Sequence, residues 1–261
     1  MKLIDTHTHL YLAGFSGDIE EVIKRASLAG IQKFFLPAID SSETAALLQL
    51  EKKFPGKCYA MVGLHPCSVK ADHKNELDKV SLLLQERSFA AIGETGLDFY
   101  WDKTYVKEQY ESLITQAQWA IQYGIPLVLH TRNATQETID TVRPYAAKGL
   151  TGIFHCFGGT LEQAQEIIEM NFYLGIGGVI TYKNSGLGDI IKKTDLANIV
   201  LETDAPYLTP VPFRGKRNES SYLKFVVEKI AEIKKISPEE VATITTANAE
   251  KIFEKILTEP V

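Results

Sequence analysis

The amino-acid sequence predicts a single α/β domain folded as a (β/α)8 barrel of the TIM type. Three observations predict it. Short apolar runs rich in β-branched and aromatic residues alternate with longer stretches of helical period along the chain. About eight strand–helix units over some 250 residues is what such a barrel needs. No linker, composition break or internal repeat interrupts residues 1–261, so they read as one domain. A doubly wound open sheet shows the same alternation, and strand count alone does not separate the two.

The first strand is predicted at Leu3–Thr6 and the first helix at Asp18–Leu28. Lys33–Leu36 with Thr44–Phe54, Tyr59–Val62 with Glu76–Glu86, and Ala90–Gly93 with Tyr105–Tyr123 follow. In that longest helix Leu113, Ala117, Ala120 and Ile121 recur at intervals of three and four, which puts them on one buried face. Next come Pro126–Leu129 with Thr135–Ala147, and Gly152–Phe154 with Leu161–Glu169. Tyr173–Gly175 and Ile199–Leu201 complete the strands, and helices over Leu223–Lys235 and Pro238–Leu257 close the chain. Ser237 is a helix cap with Pro238 in the first turn, because a proline there gives up only an N–H that has no partner anyway. Pro206 to Ser221 is the longest aperiodic stretch, and long loops in compact domains tend to be functional.

Composition narrows the function classes. The chain is 45% hydrophobic and 23% charged, ordinary for a folded domain, with a formal net charge of -5. That acidic balance disfavours grip on nucleic acid by a broad basic surface, but not capture of one phosphate at a metal site. Met1-Lys2-Leu3-Ile4-Asp5 reaches an acid too early for a secretion signal, and no apolar run spans a membrane. Cys58, Cys67 and Cys156 read as reduced thiols in a cytoplasmic protein. Nothing signals an obligate protein partner.

The chemistry lies at the strand ends. Of six histidines, His7, His9, His65, His130 and His155 fall at or just past a predicted strand, as do Glu94 and Asp204. In a barrel these ends share one mouth, where active sites are built. His7 and His9 share a face by strand alternation and are able to chelate one cation; the bland alternative is a hydrogen-bonded core pair. Glu94, between Gly93 and Gly96, offers two oxygens and so bridges two cations. His130 and His155 supply nitrogens to the second cation, and Asp204 acts as ligand and as acceptor of a proton from the attacking water. Alternation turns Cys156 away as a buried thiol, and Glu202, two residues before Asp204 and deeper in the barrel, takes a supporting, hydrogen-bonding role. His65, Asp98 and Arg132 are expected to contact substrate, Arg132 as a fork on phosphate. Arg214, Lys216 and Arg217 either receive an anionic substrate or are simply solvated. Gly175-Ile176-Gly177-Gly178 has no side chain for a metal but would let backbone N–H groups approach an anion; His73, lacking suitable neighbours, is expected on the surface.

Asp5-Thr6-His7-Thr8-His9-Leu10, Gly63-Leu64-His65-Pro66, Gly93-Glu94-Thr95-Gly96-Leu97-Asp98, His130-Thr131-Arg132, His155-Cys156-Phe157-Gly158-Gly159 and Glu202-Thr203-Asp204-Ala205-Pro206-Tyr207-Leu208 together resemble the TatD family of metal-dependent deoxyribonucleases, almost end to end. Arg214-Gly215-Lys216 and Asn218-Glu219 fit too, although Ser220 stands where the family usually has proline. The resemblance implies a TIM-type barrel with two divalent metal ions. Residues matching His7, His9, Glu94 and Asp204 would hold one, and those matching Glu94, His130 and His155 the other. It also implies hydrolysis of DNA phosphodiesters, commonly as a 3′–5′ exonuclease on single strands. Mg²⁺ is implied, and the mixed donors equally suit Zn²⁺, Mn²⁺ or Fe²⁺. An amidohydrolase-like ester or amide hydrolase, with aminoacyl-tRNA or a small molecule as substrate, is the second reading. A nucleic-acid-binding protein with a structural metal is the third.

Overall fold

Strands form where β-branched and aromatic residues concentrate: β1 (Leu3–Asp5), β2 (Ile31–Leu36), β3 (Cys58–Ala60), β4 (Ile92–Asp98), β5 (Leu127–Arg132), β6 (Gly152–Phe154), β7 (Phe172–Ile176) and β8 (Ile199–Leu201). The computed structural model describes residues 1–258, so the last three residues of the expected domain lie outside the described ones. All neighbouring strands pair in parallel, in two ladders of order β1-β2-β3 and β4-β5-β6-β7-β8. Main-chain bonds close both gaps. Ala90 N–H donates to Ala60 O at 2.9 Å and Gly93 N–H to Val62 O at 2.9 Å, while Thr6 N–H donates to Leu201 O at 3.0 Å. An open sheet would leave β1 and β8 as edges; here they meet, and the fold is the (β/α)8 barrel.

The helices are α1 (Ile19–Leu28), α2 (Thr44–Lys53), α3 (His73–Glu86), α4 (Val106–Tyr123), α5 (Thr135–Ala146), α6 (Leu161–Glu169), α7 (Leu187–Lys193), α8 (Leu223–Lys234), α9 (Pro238–Ile252) and α10 (Glu254–Thr258). Their apolar faces and the outward faces of the strands share one large core. On α4, Leu113, Ala117 and Ala120 are buried as the spacing predicts, with Ile121 only partly so. Ser237 Oγ accepts from Glu240 N–H at 3.1 Å, the cap predicted for α9. None of the described helices is long and apolar enough to cross a membrane.

A second apolar cluster fills the barrel itself. Ile4, Phe35, Met61, Ala91, Val128, Ile153 and Val200 come from successive strands or their edges, and Phe253 closes them below, stacked on Phe35 at 3.7 Å. Along β5 and β6 the inward positions then continue from Val128 to His130 and from Ile153 to His155, so the apolar floor gives way to chemistry within one alternation.

Several expectations need correction. β1 stops at Asp5, with His7 in the bend beyond it and His9 in the irregular stretch that follows, so that path and not strand alternation aims them. β4 starts later than expected and carries Glu94 within it. The helix α7 was not anticipated, because it is seven residues long and too short for a clear period. His73 is 4% exposed rather than on the surface: it opens α3, where its ring meets Lys70 O at 3.2 Å and Glu111 at 3.4 Å.

Candidate metal centre

The mouth of the barrel encloses a cavity of about 780 Å³ lined by His9, His65, Glu94, His130, His155 and Asp204 among others. Glu94 is buried and central. Its Oε2 faces one set of groups: His7 Nε2 at 3.1 Å and His9 Nε2 at 3.7 Å. Its Oε1 faces another: His130 Nδ1 at 2.9 Å, His65 Nε2 at 3.4 Å and His155 Nε2 at 3.8 Å. Asp204 Oδ1 lies 3.4 Å from His9, 3.8 Å from His7 and 3.9 Å from His155. Donor atoms of His7, His9 and Glu94, of His7, His155 and Asp204, and of His65, Glu94 and His130 lie within 4.8 Å of one another.

The far side of each ring decides what its near side offers. Tyr11 O–H donates to Pro37 O at 2.7 Å, so the phenolic oxygen accepts from His9 Nδ1–H at 3.0 Å and His9 Nε2 keeps its lone pair for the site. Asp98 Oδ2 accepts from His130 Nε2–H at 3.0 Å, which leaves His130 Nδ1 as the inward lone pair. Glu202 Oε1 stands 2.9 Å from His155 Nδ1, leaving Nε2 inward. Such carboxylate–imidazole pairs are the usual outer support of metal-binding histidines. His65 is wired the other way. Its Nδ1 accepts from Cys67 N–H at 3.1 Å, so in the neutral ring Nε2 carries the proton and points a donor at the cavity.

Electrostatics argue that this donor set fits cations. Burial pushes the Glu94 carboxyl up, yet the imidazoles of His7, His65, His155 and His130 outweigh it and hold it well below its ordinary range. Burial also opposes a charged His155, but Glu202, Glu94 and Asp204 raise it to about 10. Buried carboxylates and inward nitrogens at these distances need positive charge between them, from protons or from metal ions. His7 Nδ1 is buried without a partner among the described residues.

Glycine makes the room. A Cβ on Gly96, whose φ is +142°, would meet His130 O at 2.0 Å. A Cβ on Gly175 would meet Glu202 Oε2 at 2.3 Å. Gly175, within β7, therefore leaves room for the Glu202 carboxylate, and the supporting role of Glu202 goes to His155 Nδ1 and to Cys156 N–H (2.6 Å).

His7, His9, Glu94, His130, His155 and Asp204, dispersed over some 200 positions, thus converge as the sequence suggests. Other assignments change. Asp98 is 1% exposed and absent from the cavity wall; it stands behind His130 and accepts from Tyr100 N–H at 2.8 Å and Trp101 N–H at 3.0 Å, which places it as a support of His130. Arg214 is outside the cavity wall, stacked 4.0 Å from the Tyr182 ring centroid. Arg217 is tied to Asp18 at 2.6 Å, and the exposed Lys216 lies over Phe213, so these cations already have neighbours of their own. Cys156 is half-buried and lines the cavity, because a φ of +47° interrupts the alternation that would have turned it away. Arg132 and His65 do reach the cavity. Tyr11 was missed: its role depends on a hydroxyl held by Pro37, a contact across 26 positions that no local spacing signals.

A family sequence model described as "TatD related DNase" matches residues 4–254. An uncharacterized metal-dependent hydrolase of Bacillus subtilis, YabD, is 37% identical over 96% of this chain and 98% of its own length. The Mycobacterium tuberculosis protein called uncharacterized metal-dependent hydrolase TatD is 31% identical over 96% and 97%. Among solved structures, YjjV of Escherichia coli, a TatD homologue, superposes with a TM-score of 0.91 at 30% identity, covering 97% of this chain and 98% of that one.

Proposed function

The chain belongs to the family of TatD-related DNases, and on that premise we propose that it is a divalent-metal-dependent phosphodiesterase that removes nucleotides from the 3′ ends of single-stranded DNA. The observation that carries the reading is the division of Glu94, with His7 and His9 on one oxygen and His130 and His155 on the other. His7, His9, Glu94 and Asp204 would hold one cation, and Glu94, His130 and His155 a second; Mg²⁺, Zn²⁺ and Mn²⁺ all suit these donors. When bound, the pair supplies Lewis acidity to the phosphate and lowers the pKa of a water.

The chain's own groups do the rest. Asp204 is the proton acceptor: burial raises its carboxyl, but His155, His9 and His7 outweigh this and keep it ionised. His65, with its inward N–H, donates to a phosphoryl oxygen as charge builds there. Arg132 offers its guanidinium edge to the same phosphate. The free cysteines suit a reducing compartment, and we assign the protein to the cytoplasm on that ground.

The test is incubation with Mg²⁺ or Mn²⁺ and 3′- or 5′-labelled single-stranded DNA, alongside ester and amide substrates, a chelator and Glu94→Ala. The expected result is stepwise loss of 3′ nucleotides that chelation and the variant both abolish. Undiminished cleavage by Glu94→Ala would sink the bridging role, and ester or amide turnover without DNA cleavage would replace the substrate assignment.

A further inference from the structure

The turn after β4 carries two aromatic rings in water. Trp101 is 67% exposed and Tyr100 52%, and their centroids stand 4.9 Å apart at 84°. Exposing such rings forfeits burial that the fold could have used, and apolar surface left out at the rim of a catalytic pocket marks a binding site. The turn is fixed rather than loose. Asp98 Oδ1 accepts the N–H groups of both residues, Phe99 N–H donates to Arg132 O at 2.9 Å, and Gln109 Oε1 accepts from Asp98 N–H at 2.9 Å. Arg132 lays its guanidinium 4.0 Å from the Tyr100 centroid and 5.0 Å from that of Trp101. Trp101 and Arg132 line the same cavity as Glu94, His130 and Asp204.

A ring face open to solvent, beside a guanidinium whose N–H edge is available and a phosphate-sized metal site, matches one chemical unit. That unit is a nucleotide with its base unstacked from its neighbours. We propose that Tyr100, Trp101 and Arg132 form a stacking subsite that receives an unpaired nucleobase while its phosphate reaches the metal centre. This rests on the phosphodiesterase reading above and deepens it. A base inside a duplex hides both faces in the stack, so the subsite selects frayed ends and single strands by requiring a free face. Stacking tolerates every base, since each presents a π face.

Tryptophan itself reports the event, because Trp101 and Trp119 are the chain's two tryptophans and Trp119 is half-buried in α4. Titration of the full-length protein in magnesium buffer with dAMP should quench the exposed emission, whereas deoxyribose 5-phosphate and inorganic phosphate should not. The change should vanish in Trp101→Phe. In cleavage assays the wild type should show a KM roughly tenfold lower for a normal 3′ nucleotide than for an abasic one, and Trp101→Ala should erase that ratio. Should Trp101→Ala fold poorly by circular dichroism, Tyr100→Ala and Trp101→Phe, which keeps an aromatic face, serve instead: the first should lower the ratio and the second preserve it. DNA cleavage with an unaltered KM ratio in the alanine variants overturns the subsite and leaves the phosphodiesterase reading intact. Quenching by dAMP without any DNA cleavage overturns that reading and leaves the subsite. Absence of both overturns both.

Discussion

The floor and the mouth of the barrel are made by the same strands, two residues apart, and they obey opposite rules. On β5 and β6, Val128 and Ile153 pack in the closed apolar floor, while His130 and, just past β6, His155 line the open cavity. The floor is satisfied: aliphatic and aromatic groups contact one another and Phe253 seals them. The mouth is not, since it gathers Glu94, Asp204, Glu202 and Asp98 with histidines that cannot all be neutral and all be paired. The difference teaches a division of labour within one alternation of a strand: stability resides below, and above it the protein holds polar groups whose partner is something it binds.

The largest effects should come from crossing that line. Glu94→Ala should lower hydrolysis by roughly a thousandfold or more, since both cations lose a ligand at once. Its melting temperature without metal should fall only modestly, because the variant removes the desolvation of a buried carboxylate but also the charge that pairs with the imidazoles around it; a large drop would mean that the mouth carries stability after all. Phe253→Ala should cost about 3–5 kcal/mol in denaturant unfolding, with turnover per folded molecule retained. A loss of turnover in the molecules that remain folded would show that floor and mouth are not separable. Asp98→Asn should weaken metal binding by roughly 10–100-fold, measured by titration calorimetry, because His130 loses its carboxylate support.

Smaller effects sharpen the outer boundary of the mouth. Arg25 clasps Glu219 with a shortest N···O distance of 2.6 Å, tying α1 to the stretch after β8. Burial raises the Glu219 carboxyl, but Arg25 and Ser221 outweigh it and hold it below its ordinary 4.5. The folded state therefore binds fewer protons than the unfolded one in that range, so the stabilisation is complete above about pH 4.5 and fades as pH falls through the lowered value. Arg25→Met should cost on the order of 1–2 kcal/mol at neutral pH, with the gap to wild type closing in acid unfolding. Arg214→Ala should be smallest, shifting KM for DNA less than about threefold, because its guanidinium stacks on Tyr182 outside the cavity. A tenfold shift would return this loop to the substrate path.

The legible part of this molecule was whatever position along a strand encodes. The barrel follows from alternation of element types, and His7, His9, Glu94, His130, His155 and Asp204 follow from the shared mouth of strand ends. Features set by individual side-chain contacts were not legible. Whether His65 points a lone pair or a proton inward depends on Cys67 N–H two residues away, and periodicity does not report it. Asp98 reads as a substrate contact because it ends β4 beside the ligands; its hydrogen bonds to Cys67 and His130, 31 and 32 positions away, are tertiary facts that spacing does not report. Cys156 was misjudged for a local reason, since a left-handed residue reverses the face that alternation assigns. Arg214 and Arg217 show the usual fate of a charged run, each absorbed by a neighbour that the sequence places far off.

Asp98 holds the turn after β4 through main-chain N–H groups, which residues other than proline supply equally well. The side chains at positions 100 and 101 are thus free to be exchanged without disturbing the carboxylate oxygen that steadies His130. The rim is an exchangeable surface mounted on a bracket that does not depend on its side chains. Single substitutions there would alter the outer face of the mouth while the support of His130 stays in register.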